Sequence, residues 1–408
     1  MAFIYDPNVD HQINCIYLSI TEYFLFPLAN HSMKITVIKS YVTEATPSPD
    51  QWTDVKPFVL VKMETDEGLV GWGEAYALND QAGSIAQLIE ELGAYLIGAD
   101  PSNVRRFASG ALSSFAENRP SLSFFSAMSA LELALWDLWG KIKSEPVYKL
   151  LGGACHERIR LYANFWSTRD HPAGALVEKA VEMKESGFSA VKIYPLRCGS
   201  LKLAEDLVRK VRDAIGTDTE LMLDLSGQAD PIFALQAALR FAQYDPYWVE
   251  EPVGSHDLDN LAHITQQAPV RIVTGERLAG KSAFKDVFTR KAANIVNPDI
   301  SLCGGILSFV EIASMAEAFA VQVSPHNFNS VSVSHAAMLQ VSAVTPSCKY
   351  AEYFPYFQHA SDVFSMNTLS IKDGFASLPE QPGLGIELDE SVLKGQRFSY
   401  KPLRPIKF

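Results

Sequence analysis

Three short runs in the middle of the chain decide its fold: ELMLDL (220–225), YWVEEP (247–252) and RIVTGE (271–276). Each is largely apolar and carries a carboxylate near its end: Asp224, Glu250 and Glu276. The acids are spaced by 26 residues, and the rhythm continues through Asp299, His326 and Glu352 at steps of 23, 27 and 26. A (β/α)8 barrel spends roughly 250 residues on eight βα units, which is about this spacing. Parallel strands of such a barrel end at one face, so these six side chains are expected to converge on one pocket.

Working outward, the strand-like runs number eight: IRLYANFW (159–166), AVKIY (190–194), the three above, ANIVNPD (293–299), VQVSPHN (321–327) and CKYAEYF (348–354). Their apolar character suits parallel strands covered on both faces. Helical periodicity lies between them. Ala204, Leu207, Val208, Val211 and Ile215 form one stripe, and Ala234, Leu235, Ala238, Leu239 and Ala242 the next. Residues 154–375 therefore read as an α/β barrel. Ahead of it, 33–153 read as an α+β domain. Two strand-like runs flank the turn Asp66-Glu67-Gly68, followed by helical stretches at 83–97 and 123–142, the second apolar almost all round. Residues 376–408 lack a barrel repeat and are expected to return to the first domain. The first 32 residues are expected to be a poorly ordered extension, or to reflect a start codon assigned too early. Residues 13–28 are apolar but interrupted by Glu22, with no Lys or Arg ahead of them. They fit neither a leader peptide nor a membrane span.

A formal net charge of −12 over 408 residues makes nucleic acid an unlikely partner on electrostatic grounds. Five cysteines (Cys15, Cys155, Cys198, Cys303, Cys348) are odd in number, scattered, and contain no C-x-x-C. That pattern indicates neither a disulfide framework nor a zinc site, and fits a reducing cytoplasm.

Asp224, Glu250 and Glu276 offer hard oxygen donors on successive strands, a set suited to Mg²⁺. A single such acid would be read as a helix cap; three in sequence favour a metal. Strand alternation sends Glu251 to the side opposite Glu250. Asp299 and His326 fall one unit apart on adjacent strands. An Asp that accepts from one ring nitrogen raises the basicity of the other, making His326 a candidate general base. His335 falls in the following helix and is the weaker candidate. Glu352 could be a protonated carboxyl that donates to a developing enolate oxygen. Lys192 could neutralise a substrate carboxylate, and Tyr194, two residues on and on the same strand face, could donate or accept a proton. Trp166, Asn164, Asn297 and Asn327, with Tyr162 and Asn329, are candidates for contacts with a polar substrate.

These residues and their flanks resemble the mandelate racemase subgroup of the enolase superfamily, over about residues 33–408. Gly71-Trp72-Gly73-Glu74-Ala75, SALELALWDLWGK (129–141), PVYKLLGG (146–153), Asn297-Pro298-Asp299 and Cys303-Gly304-Gly305-Ile306 carry the resemblance outside the acids themselves. It implies a modified TIM barrel under an N-terminal α+β capping domain, with Mg²⁺ on Asp224, Glu250 and Glu276. It implies abstraction of the proton α to a carboxylate to give a metal-stabilised enediolate, with His326–Asp299 as the dyad and Glu352 as the acid beside the enolate. Capping loops 44–54 and 76–83 would set specificity, and a homo-oligomer, octamer or dimer, is implied. One departure bears on the reaction. The subgroup commonly has Lys-x-Lys on the second strand, whereas this chain has Lys192-Ile193-Tyr194. With no second lysine base, a single-base dehydration of an acid sugar to a 2-keto-3-deoxy acid is expected ahead of racemisation. Cycloisomerisation of a sugar-acid lactone or anhydro ring, or epimerisation, is the alternative, and a barrel without activity the reading from another class.

Overall fold

The computed structural model describes residues 33–44, 52, 56–78, 80–167, 171–198, 200–328, 330–395 and 398. The extension at 1–32, most of the 44–54 loop and Asn329 lie outside the described residues.

Strands β1 (Ile35–Glu44), β2 (Pro57–Thr65) and β3 (Val70–Ala75) form an antiparallel sheet in chain order. The turn between β2 and β3 passes through Gly68 at φ +81°, the left-handed conformation glycine adopts without a Cβ clash. Helices α1 (Ala82–Gly93), α2 (Val104–Gly110) and α3 (Leu122–Lys143) complete the cap. Ser121 starts α3 by accepting from the Phe124 amide, and Ser144 ends it in the left-handed conformation. A Cβ at Gly73 would lie 1.9 Å from the Ala130 carbonyl oxygen, so α3 can approach the sheet this closely only over glycine.

After α4 (Val147–Leu150) the chain alternates. It runs β4 (Arg158–Asn164), α5 (Ala173–Glu185), β5 (Ala190–Ile193), α6 (Leu201–Ile215), β6 (Glu220–Asp224), α7 (Pro231–Phe241), β7 (Trp248–Glu250) and α8 (Leu258–Gln267). It continues through β8 (Ile272–Thr274), α9 (Gly280–Arg290), β9 (Ile295–Val296), α10 (Gly305–Ala318), β10 (Gln322–Val323), α11 (Ser332–Ala343) and β11 (Ala351–Tyr353). Strands β4 to β10 pair in parallel, each with the next, and β11 pairs with β4. A bridge from Val323 to Cys348 closes the remaining gap. Seven of the eight strands fall within the runs read from the sequence, and β4 begins one residue ahead of its run, at Arg158. Below the pocket the barrel is filled by Tyr162, Met222, Trp248, Val273, Ile295 and Tyr350, one apolar layer drawn from different strands.

The buried stripe of α6 is the expected one, Ala204, Leu207, Val208, Val211 and Ile215. In α7 the stripe is rotated. Ala234, Ala237, Ala238 and Phe241 are buried, while Leu239 is 49% exposed. Asp230 fixes the start of α7 by accepting from the Ile232 and Phe233 amides. From that start, Phe241 faces inward and the small alanines let the helix lie close to the barrel.

Beyond β11 come α12 (Gln358–Phe364), β12 (Ile371–Lys372), β13 (Phe375–Ser377) and α13 (Glu390–Gly395). β13 pairs antiparallel with β4, so a boundary drawn at 375/376 falls inside a strand. The tail then reaches the cap, where Glu390 accepts from Tyr41 Oη at 2.5 Å and Lys62 Nζ at 2.7 Å.

Buried cap carboxylates tie cap to barrel. Glu74 accepts from the Val331 and Ser334 amides at the start of α11, and Glu132 from the Ile306 and Leu307 amides at the start of α10. Acidic groups at helix N-termini meet unpaired amides and the positive end of the helix dipole. The docking places the loop after β3, including Tyr76, over the C-terminal face of the barrel. Among the described residues no helix is long and apolar enough to cross a membrane.

Candidate active site

Strand register assembles the site. Asp224 pairs in register with Glu250 across β6 and β7, and Asn164 with Lys192 across β4 and β5. A parallel bridge sets Asp299 beside His326. Asp224, Glu250 and Glu276 each present an oxygen, and these three lie within 4.8 Å of one another. They can hold a metal ion. Burial pushes the Asp224 carboxyl up to about 6, against the pull of Lys192 and with the charge of Glu276 adding to it. Burial likewise raises Glu250 well above the carboxylate range despite Lys192. Hard oxygens crowded this way, with their charge under-compensated, fit a divalent cation.

His326 donates from Nδ1 to Asp299 Oδ2 at 2.7 Å. Asp299 is fixed in turn by accepting from the Ser301 amide. An ionised carboxylate can only accept, so it sets the tautomer and leaves Nε2 as the basic nitrogen. Nε2 is 3.1 Å from Glu276 Oε2 and 3.5 Å from Glu352 Oε2. Burial alone would lower the imidazole pKa, but Glu352, Glu276 and the bond to Asp299 together raise it well above the usual value.

Lys192, fully buried, lies 2.9 Å from Glu250 Oε1, 2.8 Å from Glu352 Oε1 and 3.6 Å from Asp224 Oδ2. Its ammonium thus joins the acids beneath the cavity. The protonated-donor reading of Glu352 is corrected by this contact. Burial opposes ionisation there, but Lys192 and His326 overcome it and hold the carboxyl below its usual range. Its oxygens accept from Lys192, Asn164 Nδ2 and the Asn327 amide.

Tyr194 lines the cavity and accepts from Asn164 Nδ2 at 2.8 Å. Burial raises its phenol well above the usual range, with Lys192 opposing, so the hydroxyl is a proton donor and a poor base. Asn164, Asn297 and Asn327 lie behind the cavity rather than in its lining. Asn297 donates to Glu250 Oε1 and accepts from the Glu276 amide, so it orients two of the acids. Asn327 donates to Ser334 Oγ. The expectation that these amides touch substrate is therefore replaced by one of positioning. Tyr162 also sits below, in the apolar layer. Trp166 does line the cavity. Glu251 departs from the sheet at φ +43° and accepts from Thr274 Oγ1 and the Gly275 amide, away from Glu250. Burial, then Glu276, push its carboxyl up to about 8. His335, in α11, stacks on Tyr353 of β11 and takes no part in the dyad's bond.

The cavity above these groups measures about 890 Å³, within the range of small-molecule sites. Its walls include Tyr76, Leu78 and Gln81 from the capping loop 76–83, and residues the sequence reading missed: Lys56 from the cap, and Gln228 and Arg277 from loops after β6 and β8. Arg277 pairs with Glu276 at 3.1 Å. It stands next to Glu276, a candidate ligand, so proximity in sequence could have found it. Lys56 carries no periodic signal, because the cap reaches the barrel only through tertiary packing.

Residues 36–152 match the mandelate racemase/muconate lactonizing enzyme N-terminal domain, and 175–392 match the enolase C-terminal domain-like model. The chain belongs to the mandelate racemase/muconate lactonizing enzyme family. A D-gluconate dehydratase of Thermoproteus tenax is 30% identical over 83% of this chain and 69% of its own length. A D-galactonate dehydratase of Ralstonia pickettii (strain 12J) is 30% identical over 88% and 94%. Among solved structures, an enolase from the Sargasso Sea environmental genome sequencing superposes with a TM-score of 0.86 at 33% identity, covering 90% of this chain and 97% of that one. A mandelate racemase/muconate lactonizing enzyme from Jannaschia sp. CCS1 superposes with a TM-score of 0.82 at 29% identity, covering 90% and 99%. The cap and barrel of this enolase-superfamily member are thus the family's two parts, and sugar-acid dehydration is the activity named for its relatives.

Proposed function

We propose that this protein dehydrates an acid sugar, an aldonate or aldarate, to a 2-keto-3-deoxy acid, with Mg²⁺ held by Asp224, Glu250 and Glu276. The observation that carries the reading is the dyad: His326 is locked to Asp299 on one side and presents its other nitrogen to the carboxylate cluster. When bound, the ion supplies positive charge for the substrate carboxylate and offsets the charge of Glu276 that raises the imidazole pKa.

The proton next to a carboxylate is very weakly acidic. Abstraction becomes feasible when the developing negative charge meets fixed positive charge in a water-poor site. His326 Nε2 takes that proton. The electron pair of the broken C–H bond forms the new carbon–carbon double bond as the β-hydroxyl leaves. Tyr194, or the protonated His326, gives the departing hydroxyl its proton, so water is released and the enol becomes the ketone. Asn164 orients Tyr194, Asn297 orients Glu250, and Lys192 compensates the acids below.

Incubation of the Mg²⁺-loaded protein with a panel of mono- and dicarboxylic sugar acids and their lactones in D₂O tests this. Keto-acid formation, absent in H326N, is expected. Deuterium at C2 with all hydroxyls retained would instead establish epimerisation, and ring opening of a lactone to an open-chain isomer, with water neither gained nor lost, would establish cycloisomerisation.

A further inference from the structure

A second cavity, of about 590 Å³, shares no lining residue with the one over the acids. It opens where barrel strands begin. Arg158 starts β4, and Lys349 stands two residues ahead of β11. Parallel strands put this end opposite the face on which Asp224, Glu250 and His326 stand.

Cations and aromatic rings alternate across this end. Arg158 and Arg160 are two apart on β4 and so share one face of the strand. Their guanidinium carbons lie 3.9 Å and 5.4 Å from the centroid of Phe375. Arg160 also lies 5.7 Å from the Tyr350 centroid, and Lys349 Nζ lies 5.4 Å from Tyr350 and 4.5 Å from Tyr247. Arg271, immediately ahead of β8, ends the row at 4.7 Å from Tyr247. Tyr247 and Tyr350 are buried and meet edge to face with centroids 5.5 Å apart, while all four cations are exposed. The rings are a floor that fixes the charged heads by cation–π attraction.

Four positive charges thus gather at one end of a chain whose formal net charge is −12. Little opposes them. Glu220 lies 3.7 Å from Lys349, and Glu157 lines the cavity. Among the described residues, none of the three arginines pairs with a carboxylate. Arg271 donates to the Tyr247 carbonyl at 3.2 Å. A ring face holds a guanidinium but does not take up its N–H groups, which lie in the guanidinium plane. Arg158 and Arg160 therefore bring fixed charge and free donors to the same cavity, and Lys349 adds an ammonium.

We infer that this cavity binds a phosphate group, carried on a small ester or free as the inorganic ion, through Arg158, Arg160 and Lys349. A phosphate ester carries close to two negative charges at neutral pH and three acceptor oxygens. The planar fork of arginine matches two of those oxygens at once. A single carboxylate brings less charge and fewer acceptors, so the sugar acids proposed for the other end are poor ligands here. Nothing in this inference depends on the dehydration reading.

Phosphorus NMR tests it, by titrating the Mg²⁺-loaded full-length protein into inorganic phosphate and into glucose 6-phosphate, with gluconate as competitor. Saturable binding of at least one phosphate is expected, weakened by added sodium chloride because the cations are exposed and little affected by gluconate. The tighter of the two identifies the source. R158Q/R160Q should weaken binding by about tenfold or more, K349M should weaken it as well, and R160K should keep part of it. E250Q should bind phosphate as wild type does, whereas phosphate held by an ion on the metal-binding acids would be lost there. Calorimetric Mg²⁺ affinity within about threefold of wild type shows that R158Q/R160Q retains the barrel; if it does not fold, K349M decides. No saturable binding by wild type, binding displaced by gluconate or lost in E250Q, or binding unchanged in both basal variants would overturn the inference.

Discussion

Replacing Asp299 by Asn reverses one hydrogen bond while leaving the shape of the site intact. Asp299 Oδ1 accepts from the Ser301 amide at 2.8 Å, and Oδ2 accepts from His326 Nδ1 at 2.7 Å. In D299N the retained amide oxygen keeps the Ser301 bond, which turns the new NH₂ toward Nδ1. Two donors cannot share that contact, so the imidazole takes the other tautomer, with Nδ1 accepting and Nε2 protonated. Nε2 is then unable to accept the substrate proton. The lost charge-assisted bond is worth about 1.5–3 kcal/mol, or roughly 10–150-fold. The wrong tautomer adds to this, as in Ser-His-Asp triads where the same exchange costs about 10⁴. Turnover should fall by about 10²–10⁴-fold. Exchange of the α-proton with D₂O, followed by proton NMR, should fall in parallel, whereas Mg²⁺ affinity should change little because Asp299 is not among the metal-binding acids. Exchange within about threefold of wild type would show that His326 does not depend on Asp299 for its basicity, and would refute the dyad argument.

Y194F separates the two half-reactions. Keto-acid formation should fall by about 10²–10⁴-fold while α-proton exchange persists, and an equal loss of both would assign Tyr194 to positioning. E250Q should weaken Mg²⁺ binding by more than the roughly 10–100-fold that outer-shell changes cost, read by calorimetry; unchanged affinity would remove Glu250 from the ligand set. Burial, opposed by the Ile306 and Leu307 amides and Trp136, holds the Glu132 carboxyl up at about 7. Its folded pKa therefore exceeds the unfolded value near 4.5, so stability falls as pH rises between them, with a slope of at most about 1.4 kcal/mol per pH unit. Urea midpoints at pH 5 and pH 7.5 should differ less in E132Q than in wild type, and equal differences would show that Glu132 does not titrate on unfolding.

The barrel was legible because strand ends that must meet at one face impose a regular interval on the chemistry they carry. Asp224, Glu250, Glu276, Asp299, His326 and Glu352 all follow from that interval. What surrounds them did not. The side on which α7 packs was misread since alanine fits either face, and only Phe241 against exposed Leu239 distinguishes them. The three asparagines looked like ligand contacts because amides are polar. Burial turned them into supports, since a buried amide must spend its donors and acceptors on neighbours. Tyr76 was reached only through the family resemblance, as part of loop 76–83, and Lys56 was out of reach, since neither lies at a spacing set by the barrel. Both line the cavity of a cap that Glu74 and Glu132 help to dock onto α11 and α10.

Those docking contacts also constrain how the chemistry and the selectivity can diverge. The acids and the dyad stand on strand ends fixed by register, so a change there alters the reaction itself. Lys56, Trp166 and Phe328 meet at the cavity wall, off the paired strands. Tyr194 lies between the two regimes. It is one residue past β5, bonded to Asn164 on β4, yet it also faces the cavity. Burial holds its phenol protonated, so under the proposed reaction Tyr194 serves as a donor to the departing hydroxyl and not as a second base.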